Sequence, residues 1–216
     1  MNRLFFSFVV VVFLFCSSLA FAQYEDEPYL EGYVGGNYSL PTGTLKNDMI
    51  PDSLNAKGGF GGEIGIGYYW QSNVIIGLYF SGRNMAAEDL DLNHRMYDLG
   101  LYGKYLFKDI TESSLSPYLK INVGMNFSKL ATKVESEGGG VAFRELSFDP
   151  ALQGGVALGI HKKTNSRGGI YLEVGYQMDM MDGVKGEFRG TDYEFADNNG
   201  FIMFKLGVLF NIGRKE

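Results

Sequence analysis

The sequence predicts an all-β fold, an eight-stranded antiparallel up-and-down transmembrane β-barrel, and three observations carry that prediction. From Pro28 onward apolar residues recur with a period of two, the repeat of strands. In every alternating segment one face is wholly apolar, while the other mixes glycine, tyrosine and ions. The connections between segments alternate long and short.

The N-terminus comes first and reads as a processing segment. Met1-Asn2-Arg3 is a short positive region, Leu4 to Phe15 is an apolar stretch interrupted by Ser7, and Ala20-Phe21-Ala22 fits the small-x-small cleavage rule. Residues 1–22 are therefore expected to be a signal peptide and 23–216 the barrel domain. Cys16 lies inside the leader, so the mature chain has no thiol.

Eight strands follow. The first, about 29–40, carries Leu30, Gly32, Val34, Gly36, Tyr38 and Leu40 on its apolar face. The second, about 60–70, carries Phe60, Gly62, Ile64, Ile66, Tyr68 and Trp70, and the third, 74–83, Val74, Ile76, Leu78, Phe80 and Gly82. The fourth, 96–107, presents Tyr97, Leu99, Leu101, Gly103, Tyr105 and Phe107, and the fifth, 117–128, Leu119, Ile121, Val123, Met125 and Phe127. The sixth, 151–161, presents Leu152, Gly154, Val156, Leu158 and Ile160. The seventh, 170–180, presents Ile170, Leu172, Val174, Tyr176, Met178 and Met180, and the eighth, 201–212, Ile202, Phe204, Leu206, Val208, Phe210 and Ile212. None of these 45 positions bears a charge, an amide, or a hydroxyl other than tyrosine.

The opposite parity holds every strand charge: Glu31, Glu63, Arg83, Asp98, Lys104, Lys120, Glu173, Asp179 and Lys205. It also holds eleven glycines and Tyr29, Tyr33, Tyr69, Tyr79, Tyr102, Tyr118 and Tyr171. A soluble barrel would place the apolar face inside and solvate a polar one dense in Lys, Glu and Thr. Five acids against four bases, interleaved with glycine, fit a crowded interior instead, where buried ions must pair. The apolar face is also layered. Tyr68, Trp70, Tyr105, Phe107 and Phe210 fall at one end of their strands, and Tyr38, Phe60, Phe80, Tyr97, Phe127 and Phe204 near the other. Two aromatic girdles around an aliphatic band are what surrounding lipid requires.

The successive gaps run 19, 3, 12, 9, 22, 8 and 20 residues, which places long loops (41–59, 84–95, 129–150, 181–200) outside and short turns and both termini in the periplasm. Closure removes the sheet edge, as a bilayer demands.

Two stretches, Gly32-Tyr33-Val34-Gly35-Gly36-Asn37-Tyr38-Ser39-Leu40-Pro41-Thr42-Gly43 and Gly58-Gly59-Phe60-Gly61-Gly62-Glu63-Ile64-Gly65-Ile66-Gly67-Tyr68-Tyr69-Trp70, resemble the first and second strands of eight-stranded bacterial outer-membrane barrels of the OmpA/OmpX type. The last strand, Lys205-Leu206-Gly207-Val208-Leu209-Phe210-Asn211-Ile212, is similar to their insertion signal, with Lys205, Gly207, Phe210 and Ile212 at its marked positions. It departs from the common form in that Gly213-Arg214-Lys215-Glu216 follow. The resemblance implies outer-membrane localisation, contact with lipid and lipopolysaccharide, insertion by the barrel-assembly machinery, a monomer, and no peptidoglycan-binding domain.

Chemistry is sparse. The mature chain has only His94 and His161 and no cysteine, so zinc and thiol sites are excluded, and neither cofactor nor metal is expected. A net charge of −6 argues against nucleic acid. His94, beside Glu88, Asp89 and Asp91, reads as a solvated loop residue, His161 as a periplasmic-rim residue, and Leu40-Pro41-Thr42-Gly43 as a strand-to-loop turn. If Trp70 pairs with Val74, Glu63 faces Ser81 and lies diagonal to Arg83, within pairing reach. The nine ions read as a buried network plugging a narrow barrel, more than as a selectivity filter. The last outer loop, with Tyr193, Phe195 and Asp197, is a place for surface contact. The function expected is non-enzymatic: envelope structure or surface adhesion. Transport or binding of small hydrophobic molecules is the alternative, and lipid A modification a third.

Overall fold

The computed structural model describes residues 30–43, 56–87, 92–108, 114–135, 141–165, 168–181, 185–188, 191–194 and 198–212. The leader 1–22 and its cleavage site, Tyr29, the Glu88, Asp89 and Asp91 neighbours of His94, Phe195 and Asp197, and the terminal Gly213–Glu216 lie outside the described residues. The strands are β1 (Leu30–Gly43), β2 (Ala56–Gln71), β3 (Val74–Ala87), β4 (Leu92–Leu106), β5 (Leu115–Glu135), β6 (Val141–Ser147), β7 (Ala151–Asn165), β8 (Gly168–Met180), β9 (Lys185–Phe188), β10 (Thr191–Glu194) and β11 (Asn199–Ile212).

Hydrogen-bonded neighbours run β4-β3-β2-β1-β11-β8-β7-β5, and β5 pairs back onto β4, so the sheet closes with eight wall positions, every pairing antiparallel. The wall position of β7 is continued outward by β6: β5 pairs with β7 up to Asn126↔Ala151 and with β6 from Lys129↔Ser147. The break between them falls at Phe148-Asp149-Pro150, where proline has no N–H to give the ladder. Phe148 still donates to the Ser128 carbonyl (3.0 Å), but Asp149 turns away and donates to Lys185 of β9 (2.9 Å).

The eight predicted segments are the membrane-spanning parts of β1 to β5, β7, β8 and β11, but several strands run on past their predicted outer ends. β5 continues to Glu135, and β3 and β4 leave only 88–91 between them. The third long loop contains β6, and the fourth contains the β9–β10 hairpin. Beyond the lipid the outward face of a strand meets water, so the apolar face that marked the strand ends stops while the backbone ladder continues and inward residues such as Met85, His94 and Ala131 stay buried. Leu40-Pro41-Thr42-Gly43 is not a turn but the end of β1, paired with β11. The ladder to β2 stops at Ser39↔Gly59, so Pro41 sits beyond the last β1–β2 partners. Gly43, with φ +72°, leaves the strand in the conformation glycine permits.

Glu63 does face Ser81, although Trp70 does not pair with Val74: Gln71 does, around a Ser72-Asn73 turn, and the extra residue is absorbed as a bulge. The face assignment follows the sequence parity. Val34, Ile64, Leu78, Leu158, Leu172 and Leu206 face outward and are exposed. Two positions that are outward by parity are buried: Gly32, and Met125, whose register partners are Leu99 and Leu152. Among the described residues no helix is long and apolar enough to cross a membrane; the strands do the crossing.

Candidate functional site

The interior is built on tyrosine and glycine in register. Tyr33 lies opposite Gly65, Tyr79 opposite Gly100, Tyr102 opposite Gly77, Tyr118 opposite Gly159 and Tyr171 opposite Gly207. In each pair the ring occupies the space a Cβ on the glycine would need, with ring atoms 2.3–2.8 Å from that position. This is aromatic rescue of strand glycines, repeated around the barrel. The rings meet edge to face, Tyr33 with Tyr102 at 5.7 Å and with Tyr171 at 5.8 Å. With Tyr69, Ile75, Leu106 and Leu209 they fill the periplasmic half. The outer half is packed differently, by Met85, Met96, Met181, Met203, Phe201, Ala56 and Ala151.

All nine predicted lumen ions are buried inside, and they form three groups stacked from the periplasmic end outward. In the first, Lys104 Nζ bonds Glu31, whose other oxygen accepts from the Tyr69 hydroxyl (2.9 Å) and lies 3.8 Å from His161 Nδ1. In the second, Glu63 accepts from Lys120 (2.9 Å) and Lys205 (2.5 Å), and Glu173 lies 3.7 Å and 3.3 Å from the same two ammonium groups. Lys120 also sits 4.9 Å from the Tyr33 ring centroid and 5.1 Å from that of Tyr102. In the third, Arg83 bonds Asp179 (2.7 Å), lies 3.5 Å from Asp98, and stands 4.2 Å over the Phe201 ring. Its nitrogens also lie 3.4 Å from Met96 Sδ and 3.7 Å from Met203 Sδ. Gln177 donates to both aspartates (3.2 and 3.0 Å) and Asn126 to Asp98 (2.7 Å). The first two groups balance their charges; the third sets one guanidinium against two carboxylates.

The expected Glu63–Arg83 pair does not form. Arg83 turns outward to Asp98 and Asp179, and Glu63 is taken by lysines of β5 and β11. Arg83 has a diagonal carboxylate on each adjacent strand, Glu63 on β2 and Asp98 on β4, and it takes Asp98 together with Asp179 from across the lumen, so diagonal position alone does not choose the partner. Both histidines also differ from expectation. His94 is not a solvated loop residue: it lies in β4, pairs in register with Met85 and Leu130, and is buried. His161 points into the lumen, and β7 continues past it to Asn165.

Some buried polar atoms have no hydrogen-bond partner within the protein: the amides of Asn37, Gln153 and Asn199 and the hydroxyls of Tyr79, Tyr102 and Tyr171. A cavity of about 10 Å³, room for one water at most, lies beside Asn122, Glu173, Gln177, Met203 and Lys205. The Tyr–Gly pairs escaped the sequence reading, although the register alone exposes them.

Of the girdle residues, Phe60, Trp70, Phe80, Tyr97, Tyr105, Phe107, Phe204 and Phe210 are exposed on the outer wall, while Tyr38, Tyr68 and Phe127 are half-buried there. Tyr38 packs on Phe60 (4.8 Å), Phe80 stacks with Tyr97 (6.3 Å), and Tyr105 meets Phe107 edge-on (5.5 Å). In the last strand Lys205 enters the lumen network and Phe210 covers Gly32, its register partner. A Cβ on Gly207 would lie 2.3 Å from the Val34 carbonyl, so packing as well as any signal demands glycine there. Ile212 pairs with Leu30 through the backbone.

At the outer rim Arg95 of β4 and Lys129 of β5 are directly opposite one another on the outer face, one step above the register pair Tyr97↔Phe127.

The sequence profile of a family described as "Outer membrane protein beta-barrel domain" matches residues 8–211. No curated protein matches the sequence. Among solved structures the chain is similar to Neisserial surface protein A, with 17% identity and a TM-score of 0.51 over 85% of this chain and 96% of that one. It is also similar to the outer membrane protein AlkL, solved in lipid bilayers, with 12% identity and a TM-score of 0.51 over 90% of this chain and 96% of that one. Ail, the attachment invasion locus protein of Yersinia pestis, matches with 12% identity and a TM-score of 0.48 over 86% of this chain and 99% of that one. At such identities the likeness is one of fold.

Proposed function

The chain belongs to the outer-membrane β-barrel domain family, and on that premise we propose that it is a non-enzymatic surface scaffold of the outer membrane, serving envelope structure or surface interaction. The observation that carries this reading is the contrast between its two ends. The periplasmic half of the lumen is filled by tyrosine rings and balanced ion pairs. Outside, β5 and β6 carry the wall beyond the girdle, and the β9–β10 hairpin is tied to it through Asp149 and Lys185. A filled lumen supports a holding role over conduction, and the extended outer strands offer the surface.

On the same reading the protein works as a monomer in contact with outer-membrane lipid, exported by its leader and inserted by the barrel-assembly machinery through β11. Cell-surface binding assays on cells carrying the whole chain, or a variant with 182–197 replaced by a short turn, test it. Adhesion lost only with the replacement, in a barrel that still folds, supports surface interaction; unchanged adhesion leaves the structural role alone.

A second reading, binding or passage of small hydrophobic molecules, draws on the outer interior, where Met85, Met96, Met181, Met203 and Phe201 pack as a soft apolar cluster. Proteoliposome uptake of such a molecule, abolished when Met85 and Met203 are replaced by leucine and phenylalanine, would favour it.

A further inference from the structure

We propose that the outer half of the lumen binds a monovalent metal cation, held between the Asp179 carboxylate and the side-chain amide oxygens of Gln153 and Asn199.

The first ground is charge. Arg83 is the one base in its ion group, and it answers two carboxylates, bonding Asp179 (2.7 Å) and lying 3.5 Å from Asp98. The group is left with one negative charge in excess, and all three side chains are fully out of solvent. An uncompensated ion in a dry interior is costly. Gln177 and Asn126 donate to the aspartates but bring no charge. The two groups nearer the periplasm carry no such excess, since each sets as many lysines as glutamates against one another.

The second ground is register. Asp179 on β8 stands directly opposite Gln153 on β7 and Asn199 on β11. All three face the lumen, with Gln153 1% exposed and Asp179 and Asn199 not at all. Residues so paired have Cβ atoms about 4.5–5.5 Å apart, which puts both amides within reach of the carboxylate between them. Yet neither amide has a hydrogen-bond partner at its oxygen or its nitrogen, so neither donates to Asp179. Each Asp179 oxygen takes one hydrogen bond, from Arg83 or Gln177, and keeps a lone pair. Two amide oxygens and a carboxylate around one point are a donor set for a hard cation. Asn37, whose amide is also without a partner, lies opposite Lys205, a base that already holds two carboxylates, so no negative excess stands beside it.

Charge also selects the class of ion. One positive charge neutralises the group, whereas a divalent ion would reverse its sign. Among the described residues no three His, Cys, Asp or Glu side chains gather at one place, so zinc lacks its donor set. Two residues beyond Asp179 and Gln153, the buried Met181 and Ala151 belong to the apolar cluster of the outer half and keep the site dry. A bound ion there ties β7, β8 and β11 together where the wall gives way to the outer loops. The inference concerns the lumen alone and does not depend on any activity of those loops.

Urea unfolding of the folded barrel in uncharged detergent, with sodium chloride exchanged for choline chloride at constant ionic strength, tests it. The midpoint should rise with sodium. Above the dissociation constant the folded-to-unfolded ratio should grow about tenfold for each tenfold rise in sodium. Asp179→Asn removes the excess charge, and Gln153→Leu/Asn199→Leu removes the neutral donors, so both variants should unfold at midpoints independent of sodium. Crystals of the wild type soaked in thallium(I), a heavy monovalent probe, should show an anomalous peak among the three side chains, a result that needs no variant to fold. Equal midpoints in sodium and choline, a sodium response kept by either variant, or no thallium peak at the three side chains would overturn the proposal. A midpoint that follows pH and ignores sodium would give the missing charge to a proton shared by Asp98 and Asp179, and a larger shift with micromolar calcium would give it to a divalent ion; either would overturn the monovalent site.

Discussion

Arg83 on β3 and Asp179 on β8 are 96 residues apart in sequence and 2.7 Å apart across the lumen, both side chains fully out of solvent. Asp98 lies 3.5 Å from the other terminal nitrogen of the same guanidinium. Removing Arg83 leaves two carboxylates facing each other in a dry interior. Arg83→Ala is therefore expected to destabilise the folded barrel by about 3–5 kcal/mol. The urea midpoint in detergent or bilayers measures it. Adding Asp98→Asn and Asp179→Asn to that variant should recover part of the loss, because the orphaned charges go with them.

The lipid-facing wall gives the opposite kind of test. Leu78 lies mid-strand on the outer face, lines an apolar groove there and touches no ion group. Leu78→Arg should cost roughly 2–4 kcal/mol in bilayers, the depth-dependent cost of a cation on a barrel's lipid side. The same equilibrium unfolding experiment reads it.

Glycine substitutions should divide by face. A Cβ on Gly100 would lie 2.3 Å from the Val123 carbonyl and 2.8 Å from the Tyr79 ring, whereas the nearest atom to one on Gly36 is 3.8 Å away. Gly100→Ala is expected to lose about 1–3 kcal/mol through overpacking, while Gly36→Ala leaves stability within about 0.5 kcal/mol. Boiling-dependent gel mobility and urea midpoints of the pair report the difference.

Trp70 is the one tryptophan of the chain, so its fluorescence reports a single depth. Exposed on the outer wall beside the β2–β3 turn, it should be quenched strongly by lipids brominated near the headgroup and weakly by those brominated near the bilayer centre.

How much of this was legible in the sequence depends on which force sets each feature. The two-residue period and the purity of one face are set by lipid, a uniform solvent that acts on every strand alike, so fold, faces and girdles could be read residue by residue. Glu63↔Ser81 could be counted off from the turn, and the bulge at Trp70 left that count intact. The partners of Glu63, and Asp179 as a partner of Arg83, could not, because they are chosen across a lumen whose width no local pattern encodes, whereas Asp98 lies diagonal to Arg83 on the next strand. The outer ends of β3, β4 and β5 were hidden where lipid gives way to water and alternation loses its cause. For the same reason His94, buried in β4 at that boundary, looked like a loop residue. Pro150 explains why the sixth wall strand, β7, begins late in the sequence pattern, but β6 above it carries no comparable signal.

The central claim is that the apolar face meets lipid and the tyrosine-and-ion face is the interior. It is tested most directly by single nitroxide labels at positions 156, 157, 158 and 160 of β7, introduced in a Cys16→Ser background and read by electron paramagnetic resonance in bilayers. Val156, Leu158 and Ile160 are exposed on the outer wall, while Ala157 and Gly159 turn inward. Oxygen accessibility should then be high at 156, 158 and 160 and low at 157, with little access for a water-soluble nickel chelate at the three maxima. Chelate access at 156, 158 and 160 equal to that of a soluble surface would contradict the account.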